Sequence, residues 1–156
     1  MMKPAGERYF EDYAPGDVHE FGSIALSEAD ILEFGRRYDP QYLHVDAERA
    51  ARGPYGGLIA SGWHTAAITM RLLVEGGVPL AGGLIGLGGS LRWPRPARPG
   101  DVLTVHGEIT EVTPSKPDRG TIAIKAETRN QRGEVVQSFT ATLLVPRRAT
   151  QTNNKQ

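Results

Sequence analysis

The chain has 156 residues, with 18 basic and 18 acidic side chains, a formal net charge of zero and no cysteine. That length fits one domain able to bury a core, the balanced charge leaves no basic field to gather nucleic acid, and the lack of cysteine excludes disulfides, thiolate metal sites and thiol nucleophiles. The opening MMKPAGERYFEDY has no apolar h-region, and nowhere do about 18 apolar residues run together, so a soluble cytoplasmic protein without nucleic-acid or membrane partners is expected.

Residues 1–8 are polar and read as a flexible N-terminus. YAPGDV (13–18) is a turn leading into a strand from Val18 to Leu26. Ser27 followed by Asp30 has the form of a capping box, and Ile31, Leu32, Phe34, Gly35 and Tyr38 then recur at helical spacing. Pro40 ends that helix near Asp39, because the residue before a proline is driven out of the α region. Asp46 caps a brief helix through AERAA. The glycine-rich loop RGPYGGLIASG (52–62) leads into WHTAAITMRLLVEGG (63–77), a helix apolar on nearly every face. Such a helix is expected to be enclosed on all sides.

The second half changes character. Residues 82–93, 96–112, 120–130 and 133–145 read as strands, with Pro-Gly-Asp opening one and NQRG turning between the last two. The polar tail 147–156 reads as disordered. Helices early and antiparallel strands late give an α+β chain with one domain over 9–146, a curved antiparallel sheet wrapped around a central apolar helix.

Within YDPQYLHVD (38–46) an acid stands directly before a proline, and an imidazole follows five positions after the acid. The run Asp39-Pro40-Gln41-Tyr42-Leu43-His44, with Asp46 and a short helix behind it, resembles the hydratase motif of the MaoC-like dehydratases. That branch of the hot-dog fold includes the R-specific enoyl-CoA hydratases. FEDYAPGD near the start, GGLIASGW at the apolar helix and RWPRPARPGD before the later strands extend the resemblance over residues 9–146. The chain departs from the common pattern in placing Pro40 directly after the acid, Gln41 in an asparagine slot, and Ser61-Gly62 where many members carry His-Gly.

The resemblance implies a single hot-dog domain that hydrates a 2-enoyl thioester reversibly, needing no cofactor beyond the coenzyme A of its acyl-CoA substrate. It implies that Asp39 and His44 share the work on one water. A carboxylate and an imidazole that converge in this way can deprotonate the water and deliver a proton. The plainer alternative makes Asp39 a turn cap and His44 a core histidine. A zinc site at His44 and Asp46 would need a third ligand that no HExxH or cysteine supplies, so no metal is expected.

Gly62 starts the apolar helix, where unpaired amides sit at the positive end of the dipole, so a thioester oxygen can approach it as in an oxyanion hole. No Gly-Lys-Ser/Thr follows the glycines, which rules out a phosphate loop. Ser61 and Trp63 flank Gly62 and are candidates for substrate binding. Arg92, Arg95 and Arg98 are candidates for the phosphates of coenzyme A, or else form a solvated basic loop. A hot-dog thioesterase usually draws its acid from the central helix, and residues 63–74 hold none. That thioesterase and a non-catalytic acyl-CoA-binding subunit are the competing readings. A homodimer or higher homo-oligomer is expected, because a lone sheet leaves an edge open.

Overall fold

A computed structural model describes residues 8–76 and 82–148. After a 3-10 turn at Phe10–Asp12 come β1 (Val18–Ala25), α1 (Glu28–Tyr38), α2 (Tyr42–Val45), α3 (Ala47–Ala51) and α4 (Gly62–Glu75). The strands β2 (Ile85–Arg92), β3 (Val102–Lys116), β4 (Arg119–Arg129) and β5 (Val135–Pro146) follow. All five strands form one antiparallel sheet in the order β1-β3-β4-β5-β2, so β1 and β2 are its edges.

Local chemistry sets these boundaries. The Ser27 side chain accepts from the Asp30 amide (3.1 Å) and Asp30 answers the Ser27 amide, the reciprocal pair that starts α1. Asp46 caps α3 by accepting from the Arg49 amide at 3.0 Å. β3 runs beyond the expected residue 112 to Lys116, because the β3–β4 hairpin keeps pairing through register shifts near Pro114. α2 was not anticipated; four residues are too few to show a helical period. The expected looseness of residues 1–7 and 149–156 lies outside the described residues. Arg147 and Arg148, assigned to the tail, instead pair with Glu11 and Asp12.

The sheet curls around α4, which packs on β1, β3 and β5. Ile68, Leu72 and Leu73 face inward against Phe21, Leu26, Ile31, Leu103 and Val105. Each such side chain contributes about 1.5–3 kcal/mol when fully buried. A second cluster joins Phe10 and Tyr13 to Ile109, Ile122, Leu143 and Val145. The expectation that α4 is covered on every face does not hold within one chain. Trp63, Met70 and Val74 form an exposed apolar stripe, because one sheet can cover only one side of a helix. No helix among the described residues is long and apolar enough to cross a membrane.

Candidate active site

α1 ends by delivering Asp39. The Asp39 amide still donates to the Gly35 carbonyl (2.9 Å), but its backbone has left the α region ahead of Pro40, with φ −149° and ψ 74°. The chain then turns tightly: the Gln41 amide donates to the Asp39 carbonyl, and the Gln41 side chain donates to Asp39 Oδ1 at 2.8 Å. α2 follows and lifts His44 into the interior, where it is only 6% exposed. α2 can lie this close because Gly35 has no side chain; a β-carbon there would meet both the carbonyl oxygen and the β-carbon of His44.

The imidazole is held by main chain. Its Nδ1 lies 2.7 Å from the Ile59 carbonyl, an atom that can only accept, so in the neutral ring Nδ1 carries the hydrogen and Nε2 keeps its lone pair. The Ile59 amide donates back to the Leu43 carbonyl at 3.1 Å, which ties the loop to α2 at two points. Nε2 faces Asp39 Oδ2 at 3.3 Å.

Asp39 Oδ2 also accepts from the Ser61 hydroxyl at 2.6 Å. Burial by itself would raise the pKa of this carboxyl. The hydrogen bonds from Ser61 and Gln41, helped by the His44 ring, outweigh burial and hold it below the ordinary aspartate value. Because Ser61 turns its hydroxyl to Asp39, it makes no side-chain cap for α4. Among the described residues nothing accepts from the Gly62 amide at the head of that helix.

A cavity of about 280 Å³ opens beside His44, lined in part by Tyr55, Gly62, Thr65, Trp93, Arg95 and Val136. Trp93 packs against Gly62, where a β-carbon would fall 2.6 Å from the indole. The indole N–H donates to Gln137 Oε1 (3.0 Å), Gln137 Nε2 donates to Thr69 Oγ1 (3.0 Å), and Thr69 Oγ1 also meets Thr128 Oγ1. A bulge at Val136, between the pairs Thr128↔Gln137 and Arg129↔Val135, turns both Val136 and Gln137 inward.

Of the residues singled out in the sequence, Asp39, His44, Ser61 and Gly62 come together here. Arg95 lines the cavity but is paired with Glu134 at 2.7 Å. Arg98 supports the glycine-rich loop by donating to the Tyr55 carbonyl at 2.8 Å. Arg92 ends β2 and Trp63 is exposed, edge-on to Trp93; neither lines the cavity. Reading the sequence missed Ile59, Trp93 and Gln137 as parts of this site. Their partners lie 15 to 68 residues away in the chain, so no local pattern announces them.

Known proteins resemble this chain over two thirds of its length or more. A MaoC-like dehydratase from Rhodospirillum rubrum superposes with a TM-score of 0.88 at 49% identity, covering 91% of this chain and 99% of that one. The R-hydratase PhaJ1 of Pseudomonas aeruginosa superposes with a TM-score of 0.69 at 28% identity, covering 90% and 86%. The 3-hydroxybutyryl-CoA dehydratase of Methylorubrum extorquens is 32% identical over 110 residues, 69% of this chain and 68% of that protein. The α+β architecture is thus the hot-dog fold that the sequence motifs implied. The profile of the MaoC like domain matches residues 12–131, and the chain belongs to that family.

Proposed function

We propose that the protein is a hydro-lyase that adds water reversibly to the double bond of a 2-enoyl-CoA thioester, giving the 3-hydroxyacyl thioester. The observation that carries this reading is the approach of Asp39 Oδ2 and His44 Nε2 to 3.3 Å, beside a cavity that also reaches Gly62. Two acceptors facing each other in this way can each take one hydrogen of a single water, which leaves an oxygen lone pair for the substrate. The water oxygen bonds to C3 while one of its protons passes to the Asp39/His44 pair. The same pair delivers a proton to C2, so nothing is consumed but water. Charge building on the thioester oxygen is met by the Gly62 amide at the positive end of α4.

Coenzyme A enters only as part of the substrate, and Arg95, which lines the cavity, is the cation we assign to its phosphates. The reading is supported by the family and by the dehydratase and R-hydratase relatives. A thioesterase acid on α4 finds no support: its one acid is Glu75, which pairs with Arg71 at the exposed far end.

The test is a panel of 2-enoyl-CoA esters followed by enoyl absorbance and by thiol release together. Loss of absorbance without free thiol is expected. Thiol release with the double bond intact would make the protein a thioesterase, and binding with neither change would make it a carrier of acyl-CoA.

A further inference from the structure

On the side of α4 and β5 the cavity beside His44 is walled by buried residues, and a polar layer lies next to them. Thr65 and Val136, at 2% and 1% exposure, line it from α4 and β5. Thr69, one turn further along α4, gives its only hydroxyl hydrogen to the Thr65 carbonyl at 2.9 Å. It therefore accepts from both its other neighbours, Gln137 Nε2 and the Thr128 hydroxyl. With Nε2 committed to Thr69, the Gln137 amide must turn Oε1 toward the indole N–H of Trp93. Thr69, Thr128 and Gln137 are at most 1% exposed, so water cannot replace any bond that is broken among them.

We propose that this layer makes the site selective for short-chain acyl thioesters. Trp93 is the specificity-determining wall and Gln137 the positioning residue that fixes it. The proposal rests on the hydratase reading given above. With the thioester oxygen at the Gly62 amide, the acyl group must run along the indole that covers Gly62, toward Thr65 and Val136. A short tail ends there. A longer tail would have to enter the Thr69–Gln137–Trp93 layer, stranding buried donors and acceptors while offering them only methylene groups. Without such a barrier the opposite preference is expected, since four extra methylenes ordinarily favour the longer chain by more than about tenfold.

The test is a calorimetric titration of the full-length protein with butyryl-CoA and octanoyl-CoA, which are saturated and so are not hydrated. The wild type is expected to bind butyryl-CoA at least about tenfold more tightly. Gln137→Ala, which empties the centre of the layer and frees the indole, is expected to erase or reverse that preference; Trp93→Leu does the same from the wall side. In a Trp63→Phe background, Gln137→Leu should shift the emission of Trp93, a readout that a purely structural glutamine would not move.

Octanoyl-CoA binding to the wild type as tightly as butyryl-CoA would overturn the proposal, as would the absence of binding by either. So would an unchanged ratio in both Gln137→Ala and Trp93→Leu. The wild-type ratio needs no variant to fold. Short-chain preference in a protein that hydrates no 2-enoyl-CoA would leave this selectivity standing and remove the hydratase reading. Hydration of 2-octenoyl-CoA as fast as crotonyl-CoA would do the reverse.

Discussion

Gly35 and His44 touch across the junction of α1 and α2: a β-carbon at position 35 would lie 2.8 Å from the His44 carbonyl oxygen and 2.9 Å from its β-carbon. In an open helix interior, glycine to alanine gains roughly 0.5–1 kcal/mol. Here the added methyl must push α2 away, and overpacking of this kind costs about 1–3 kcal/mol. Gly35→Ala is therefore expected to lower the Tm and also to slow hydration, by moving the imidazole off Asp39. A variant more stable than wild type with unchanged kcat would show that the contact yields easily.

Asp39→Asn keeps the shape of the side chain but loses its charge, and His44→Ala loses the ring. Either change is expected to cut hydration by at least about 10²-fold. Because the two act on one water as a unit, the double variant should lose little more than the worse single one. If Asp39 served only to cap the turn after α1, through its bond with Gln41, its loss would cost on the order of 1 kcal/mol of stability and leave turnover per folded molecule intact. Tm and kcat measured on the same preparations separate the two cases.

Gly62→Ala sets a methyl against the Trp93 indole, where 2.6 Å is available. The ring must move, and it carries with it the cavity wall and the hydrogen bond to Gln137. We expect a changed Trp93 emission and a loss of turnover up to about 10²–10³-fold, the scale for losing an oxyanion donor. Wild-type rates with a shifted spectrum would assign Gly62 to packing alone.

The carboxyl of Asp39 sits below the ordinary aspartate value despite burial, and Ser61 is the foremost of the groups that lower it. A folded-state pKa below the unfolded one stabilises the protein above the unfolded value, and that contribution is lost as pH falls through the folded value. Ser61→Ala should therefore be less stable than wild type at neutral pH. The gap should close as pH falls through the lowered value that Asp39 has in the folded wild type, below which the carboxyl is protonated in both proteins. Denaturant titrations across that range test this, and a pH-independent gap would show that Ser61 acts only through packing.

The stripe of Trp63, Met70 and Val74 on α4, with Ile85 and Leu87 on the edge strand β2, leaves large apolar side chains in water. A second copy is expected to cover them. Light scattering at micromolar concentration should give at least twice the chain mass of 16.9 kDa. A monomer would refute the expectation.

What could be read from the sequence was what is encoded within a few residues. The Ser27/Asp30 box, the stop at Pro40 and the Asp46 cap each rest on contacts three residues apart or fewer, and each was legible. The pairing of Asp39 with His44 is nearly as local. The cradle around them is not. Ser61 reaches Asp39 across 22 residues, and Gln137 reaches Thr69 across 68. The exposed face of α4 was misread for a related reason, since an apolar helix carries no mark of which side its own sheet will cover.

The acceptor that fixes the His44 tautomer is the carbonyl of Ile59, a group shared by all twenty amino acids. No side-chain replacement at position 59 can delete it, so the orientation of the imidazole depends on the path of the loop rather than on its composition. Ile59 also lines the cavity. Substitutions there that leave the path of the loop unchanged therefore alter one wall of the pocket while the ring beside it keeps its hydrogen on Nδ1.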